Sequence, residues 1–219
     1  MTELWDFLQS PPAGAAFNMA LDETLLHTAA KRGRPLLRVY AWEKPSVSFG
    51  YFQKFPAALA GRHEVVRRPT GGGVVYHIDD TTYTVVVPPA HALHAMKAAD
   101  AYCALHQAVA AAFRSPAEIH RVRLHSPHGS YECFQRPVHG DVVAGGQKLA
   151  GGAQWRTKSG MLHQGSIAAK LSAWRIKRGF QKTLGIEFED YKLTDPEEAL
   201  AAKLVREKYA MDAWNRHLR

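Results

Sequence analysis

Residues Arg67-Arg68-Pro69-Thr70-Gly71-Gly72-Gly73-Val74-Val75-Tyr76-His77 set three consecutive glycines between two β-prone runs, EVVRRP (64–69) and GVVYH (73–77). Runs rich in valine and tyrosine and bounded by glycine or proline read as short strands. Working outward, TTYTVVV (81–87) reads as a strand paired with GVVYH, with Ile78 to Asp80 as the turn between them. Upstream, LLRVYAW and SVSFG flank Pro45 as two further strands, and TELWDFL reads as the first strand of the chain. The segment AAFNMALDETLLHTAAKRG spaces Phe17, Leu21 and Leu25 four residues apart and closes on Gly33. That is the pattern of an amphipathic helix with a glycine C-cap.

Downstream, KAADAYCALHQAVAAAFR (97–114) reads as a second long helix and IHRVRLH (119–125) as a strand. Residues 126–140 are rich in Pro, Gly and His and read as a loop. DVVAGGQKLAGGAQWR gives two strand pieces around a turn at Gly145-Gly146-Gln147, and TKSG a second turn before MLHQGSIA. Two helices close the chain, SAWRIKRGF and PEEALAAKLVREKYAMDAW, the latter opened by Pro196 with Asp195 as N-cap. Strands and helices mix without strict alternation, so the expected class is α+β: a mixed, largely antiparallel sheet flanked by helices. With 219 residues and no internal repeat, linker or low-complexity tract, the expectation is one domain spanning 1–219.

Hydrophobic residues make up 46% and charged residues 22% of the chain, ordinary values for a soluble globular protein. No run of apolar residues is long enough to span a membrane, and the acidic, weakly apolar start MTELWDFLQS is no signal peptide. Those readings place the protein in the cytoplasm. The two cysteines, Cys103 and Cys133, do not make a disulfide framework. Cys103 sits in the Ala-rich helix and reads as core. The net charge of +8 points to an acidic partner or simply to a solvated surface. Lys and Arg are scattered, and no helix-turn-helix, RRM signature or aromatic-basic interleaving supports nucleic-acid binding. No HxxxH or CxxC spacing occurs, so no metal site is assigned.

The glycine run 71–73 matches neither the P-loop pattern nor GxGxxG. Its backbone can approach a ligand and aim N–H groups at oxygens, or it can be a glycine-rich turn. A second stretch, Gly145-Gly146-Gln147-Lys148-Leu149-Ala150-Gly151-Gly152-Ala153, isolates one lysine between two glycine pairs. Lys148 is suited to an acyl carbonyl, a carboxylate or a phosphate; it is equally an exposed lysine on a hairpin.

RRPTGGGVVYH, QKLAGGAQ and HQGSI, together with FNMALDE near the start and KYAMDAWN near the end, occur in an order and at separations that resemble the catalytic domain of the lipoate–protein ligase and octanoyltransferase family, related to biotin protein ligases. The resemblance covers nearly the whole chain. It implies a biotin/lipoate protein ligase catalytic-domain-like fold that holds an acyl chain in a tunnel. Arg68, Thr70, Gly71, Gly72, Gly73 and His77 would line the pocket, with Gly151, Gly152 and Ala153 beside them. Lys148 would contact the acyl head group. One departure stands out. Many members place Asp directly after the His, whereas Ile78 follows His77 here and Asp79 and Asp80 come next. Asp79 is one residue out of step, which in a strand turns its side chain to the opposite face.

Two chemistries run in this family. Ligases use ATP and magnesium to make an acyl-adenylate before passing the acyl group to a lysine. Transferases take an activated octanoyl or lipoyl thioester on a cysteine and need no cofactor. Cys133, followed by Phe134 and fifteen residues before Lys148, resembles the nucleophile of the cysteine-dependent octanoyltransferases. A cation such as Lys148 would lower its thiol pKa, and glycine N–H groups would stabilise the oxyanion. His77 suits a hydrogen bond to the acyl carbonyl, a proton relay or a purely structural bond, and His163 the pocket wall or structure. The transferase reading implies acyl carrier protein as donor and a lipoyl-domain or glycine-cleavage H-type protein as acceptor, with no nucleic acid and no membrane. The chain ending at Arg219 without the extra domain of some ligases favours the same reading. The alternatives are an ATP-dependent lipoate–protein ligase and, from another class, a non-catalytic basic binding module.

Overall fold

The computed structural model describes residues 2–114, 116–120 and 137–217. Its main sheet has eight strands, in the order β11-β1-β2-β6-β10-β9-β8-β7. These are β1 (Glu3–Gln9), β2 (Leu36–Tyr40), β6 (Thr81–Val87), β7 (Glu118–Ile119), β8 (Val142–Ala144), β9 (Gln147–Thr157), β10 (Gly160–Ile167) and β11 (Ile186–Asp190). Pairing is parallel only where β1 meets β2 and β11; the rest is antiparallel. A second sheet of three strands, β4-β3-β5, is made by β3 (Ser46–Phe49), β4 (Glu64–Arg67) and β5 (Val74–His77). The expected α+β class is what forms.

Helices cover both faces of the main sheet. On one face α3 (Ala98–Ala110) and α4 (Ala173–Leu184) pack Leu105, Val109, Ile176 and Phe180 against Trp5, Tyr83 and Val85. On the other, α1 (Ala15–Arg32) and α5 (Asp195–Leu204) bury Leu21, Leu25, Leu26 and Ala201 against Leu8, Val86 and Leu162. This explains why β6 is buried along its whole length. Successive side chains alternate between two covered faces, Tyr83 and Val85 to one and Thr84 and Val86 to the other.

Local signals held where the backbone demanded them. Gly33 ends α1 at φ +73°, and its N–H bonds to Ala29 O at 2.9 Å, a left-handed cap that glycine adopts without a Cβ clash. Of the predicted stripe on α1, Leu21 and Leu25 are buried, while Phe17 at its first turn stays partly exposed. Gly145 and Gly146 turn at φ +54° and +78° between β8 and β9. A short α2 (Ala92–Ala95), unmarked in the sequence, precedes α3, and α3 stops at Ala110 rather than running to Arg114.

Three expectations are corrected. β5 and β6 are not a pair: β5 joins β3 and β6 joins β2 and β10, so Ile78–Asp80 carries the chain from one sheet to the other. The N-cap of α5 is Thr194, not Asp195. Its side chain accepts the N3 backbone N–H, while Glu197 accepts Thr194 N–H at 3.1 Å, a reciprocal capping box that leaves Asp195 inside the first turn. The last predicted helix is interrupted by a π turn at Val205–Tyr209 before α6 (Asp212–Asn215). Of IHRVRLH, Ile119 is in β7, and residues 121–125 lie outside the described residues.

Candidate active site

Where the small sheet meets β9 and β10, the protein forms a narrow, partly open pocket. Arg68, His77, Lys148, Gly151, Gly152 and Ala153 all line it, brought together from positions up to 85 residues apart. Ser48 of β3, Trp42 and Ser166 of β10 share the wall.

The glycine run holds Arg68 rather than presenting donors. Arg68 Nη2 donates to Gly71 O and Gly73 O, both at 2.9 Å, and its Nη1 donates to Ser48 Oγ at 2.8 Å. Gly72 turns at φ +89°, and a Cβ on the facing Gly50 would fall 2.0 Å from Gly72 O. The tight turn therefore needs glycine on both sides. Thr70 is fully buried and donates to Gln164 Oε1 at 2.8 Å. Thr70, Gly71, Gly72 and Gly73 adjoin Arg68 rather than line the pocket themselves, with Gly72 exposed at the tip of the turn. Carbonyl oxygens, not N–H groups, are what the loop aims at Arg68.

Lys148 is no exposed hairpin lysine. Its side chain is 3% exposed, and Nζ lies 2.8 Å from Asp141 Oδ2. Asp141 also accepts Val138 N–H at 2.7 Å and Tyr102 OH at 2.6 Å, and Tyr102 in turn accepts Gly152 N–H at 2.9 Å. Burial, reinforced by the Asp141 charge, pushes the Tyr102 hydroxyl well above its ordinary value and keeps it a donor. Gly151 makes room for the lysine: a Cβ there would meet Lys148 Cε at 2.4 Å. Gly152 does the same for His163, whose Nε2 would lie 2.8 Å from an added Cβ. His163 is fully buried against Tyr83 OH at 3.1 Å, and burial holds it well below the usual histidine range, so it supports the wall as a neutral ring.

His77 resolves the displaced aspartate. Its Nδ1 lies 2.6 Å from Asp80 Oδ2, and its Nε2 2.7 Å from Ser48 Oγ. Trp42 stacks on the ring at 4.0 Å between centroids. Asp79 instead points outward to Lys170 at 2.7 Å. Residues 78–80 form a turn, so the alternation of a strand does not apply, and Asp80 comes back to the histidine three positions on. Burial lowers the His77 pKa despite the opposing pull of Asp80.

Asp22, Asn18 and Gln164 were not singled out from the sequence. Buried Asp22 accepts from Arg38 at 2.7 Å, Thr84 at 2.8 Å and Gln164 at 2.7 Å. Asn18 Oδ1 accepts a second Arg38 N–H at 2.7 Å. Asn18 and Asp22 lie in FNMALDE and Gln164 in HQGSI, motifs that carried the family resemblance, but nothing in those strings indicated that they bond to one another. Near the end of the chain, Asn215 Oδ1 takes Arg67 N–H at 2.8 Å, and Arg67 Nη2 donates to Asn215 O at 2.8 Å, so Arg67 is a buried structural anchor. Cys103 is half-buried rather than core, with Sγ 3.8 Å from His139 Nε2. Cys133 lies outside the described residues. Among the described residues no helix is long and apolar enough to cross a membrane.

The α+β fold of this chain is shared by solved lipoate–protein ligases. Lipoate-protein ligase A bound with ATP matches with a TM-score of 0.75 at 24% identity, covering 100% of this chain and 99% of that one. The bi-partite lipoate protein ligase of Thermoplasma acidophilum matches with a TM-score of 0.76 at 23% identity, covering 100% and 98%. The chain belongs to the lipoyl protein ligase A/B catalytic-domain family, whose model matches residues 14–192. Among its relatives are octanoyltransferases LipM, from Geobacillus kaustophilus at 32% identity over 97% of this chain and 98% of that one, and from Bacillus subtilis at 30% over the same shares.

Proposed function

We propose that the protein is an octanoyltransferase that moves an octanoyl, or lipoyl, group from a carrier-protein thioester to a lysine of a lipoyl-domain protein through an acyl-enzyme on Cys133. The full-length similarity to octanoyltransferases LipM favours this reaction over adenylate chemistry. The observation that carries the site assignment is Lys148: a buried ammonium, fixed by Asp141, at the wall of a partly open pocket.

The chemistry proceeds in two exchanges. The Cys133 thiolate attacks the thioester carbonyl, the new C–S bond forms, the old one breaks, and the carrier leaves as its thiolate. The acceptor lysine amine then attacks the enzyme-bound acyl carbon, forms the amide, gives up one proton and releases the Cys133 thiolate. The first exchange is near energy-neutral and the second is downhill, so neither requires ATP. Lys148 stabilises the tetrahedral oxyanion, and its charge counts for more in a water-poor site than in bulk solvent. Arg68, clamped by the glycine carbonyls, and the backbone at Gly151–Ala153 orient the acyl head. Thr70 and Gly71–Gly73 act on the substrate through Arg68. The donor is acyl carrier protein, and the acceptor a lipoyl-domain or glycine-cleavage H-type protein, both cytoplasmic. Residues 1–219 act as one catalytic domain.

Intact-protein mass after incubation with octanoyl-acyl carrier protein, without ATP, tests the reading. A hydroxylamine-labile octanoyl adduct on Cys133 is expected, lost in Cys133→Ser and kept in Cys103→Ser, because a serine hydroxyl is a far weaker nucleophile at neutral pH. Strict dependence on ATP with free octanoate or lipoate would overturn it in favour of a ligase.

A further inference from the structure

We propose that Ser48, His77 and Asp80 form a proton relay at the cavity wall, in which the Ser48 hydroxyl takes the proton that the acceptor lysine loses as it attacks. The relay rests on the transfer reaction proposed above and adds to it the group that deprotonates the amine.

The direction of the hydrogen bonds follows from what each group can donate. Arg68 Nη1 lies 2.8 Å from Ser48 Oγ and can only donate to it. The hydroxyl hydrogen is then free to point at His77 Nε2, 2.7 Å away. That leaves the ring hydrogen on Nδ1, where it meets Asp80 Oδ2 at 2.6 Å. Burial favours the neutral ring this arrangement requires. Three elements build it: Ser48 on β3, His77 at the end of β5, and Asp80 in the crossing to β6. Trp42 fixes the ring plane by stacking, and Asp80 Oδ2 is held in place by Ser166 Oγ at 2.7 Å and Thr82 Oγ1 at 3.1 Å. Ser48 and His77 line the same cavity as Lys148. A serine hydroxyl has two acceptor positions. Arg68 fills one and the incoming amine takes the other.

The step balances. As the amine nitrogen bonds to the acyl carbon and the C–S bond breaks, the excess proton on nitrogen passes to Ser48 Oγ while the Ser48 hydrogen passes to His77 Nε2. Asp80 stabilises the resulting imidazolium. The proton then returns by the same path to the thiolate or to solvent. Ser48 touches the substrate and is catalytic; Asp80 acts through His77 and is a positioning residue. The charged groups facing the ring are Asp80 from its own turn and Arg68 from the segment after β4, with Lys148 on β9 across the cavity. Burial and the Arg68 charge keep the imidazolium acidic enough to release its proton again.

The test is a single-turnover experiment. Enzyme acylated with octanoyl-pantetheine, without ATP, is mixed with a purified bacterial lipoyl domain, and transfer is followed from pH 5.5 to 9. Ser48→Ala is expected to slow transfer by about 100-fold, the usual size of general acid–base catalysis, and to accumulate acyl-enzyme. Asp80→Asn should slow it similarly and move the apparent pKa of the profile downward, a shift that a merely structural aspartate would not produce. Thermal unfolding of both variants reports folding, and either one alone carries the test if the other fails to fold. Wild-type rates with an unchanged profile in the folded variants overturn the relay. So does an octanoyl ester on Ser48 that resists neutral hydroxylamine, because Ser48 is then a nucleophile. If the wild type forms no acyl-enzyme at all, the transferase reading fails, and the relay with it.

Discussion

Lys148→Met removes the ammonium from a pair whose members are 3% and 0% exposed. Breaking a buried ion pair costs about 3–5 kcal/mol when the remaining charge is left uncompensated. Asp141 keeps Tyr102 OH at 2.6 Å and Val138 N–H at 2.7 Å, so the loss sits at the low end, about 3 kcal/mol. For a chain of this size that is a fall in Tm of roughly 6–12 °C. Catalysis loses more than stability implies. Removing one preorganised group at the oxyanion lowers turnover by roughly 10²–10³-fold. The double variant Lys148→Met, Asp141→Asn separates the two effects, since neutralising both partners removes the orphaned charge and recovers ~1 kcal/mol or more. Thermal unfolding and ATP-free octanoyl transfer are measured on all three proteins. The double variant should regain stability and remain inactive. Transfer within a few-fold of wild type in the double variant would refute the role of Lys148, leaving the pair as a structural device alone.

Gly72→Val places a branched side chain at φ +89°, a strain of roughly 1–2 kcal/mol or more, and loosens the carbonyls that clamp Arg68. Octanoyl affinity, measured by calorimetry, should fall further than the modest loss in Tm accounts for. Carrier-protein KM should rise with salt, since screening sets in over about 10 Å at 0.1 M; Arg178→Glu, on the exposed face of α4 beside Trp174, should raise KM at low salt and flatten that dependence. Glu23, held at about 2 by His27, Lys208 and Tyr209 against the opposing effect of burial, stabilises the fold above the ordinary glutamate range. That contribution, on the order of 3 kcal/mol, is lost as pH falls from about 4.5 to 2, so urea midpoints of Glu23→Gln should be flatter across that window than those of the wild type.

The sequence was legible where local rules decide. Gly33, Gly145 and Gly146 occupy backbone angles that few other residues adopt, and the valine-rich β6 is a strand under any pairing. Pairing itself was not legible. GVVYH and TTYTVVV with three residues between them read the same whether the chain makes a hairpin or crosses between sheets; the outcome is set by β2 and β10, which take both edges of β6. The break in the last helix was hidden for a similar reason. LVREKYAMDAW has helical propensity throughout, but Tyr209 is drawn to Glu23 and Asn215 to Arg67, and those tertiary bonds override the local preference.

The same distinction explains why the site's residue types were readable and their duties were not. FNMALDE, RRPTGGG and HQGSI are far apart in the chain, yet Asp22, Thr70 and Gln164 make one buried chain of hydrogen bonds, from Arg38 through Asp22 to Gln164 and on to Thr70 at the foot of the glycine turn. A carboxylate buried without partners costs several kcal/mol, so each link holds the next in place. The glycine turn then fixes Arg68, Arg68 fixes Ser48, and Ser48 meets His77. His77 can use an aspartate three residues on because a turn, unlike a strand, returns its third residue to the same side. A motif written as residues in order therefore omits the register of the intervening backbone, and at this site that register selects Asp80 over Asp79 as the partner of the histidine.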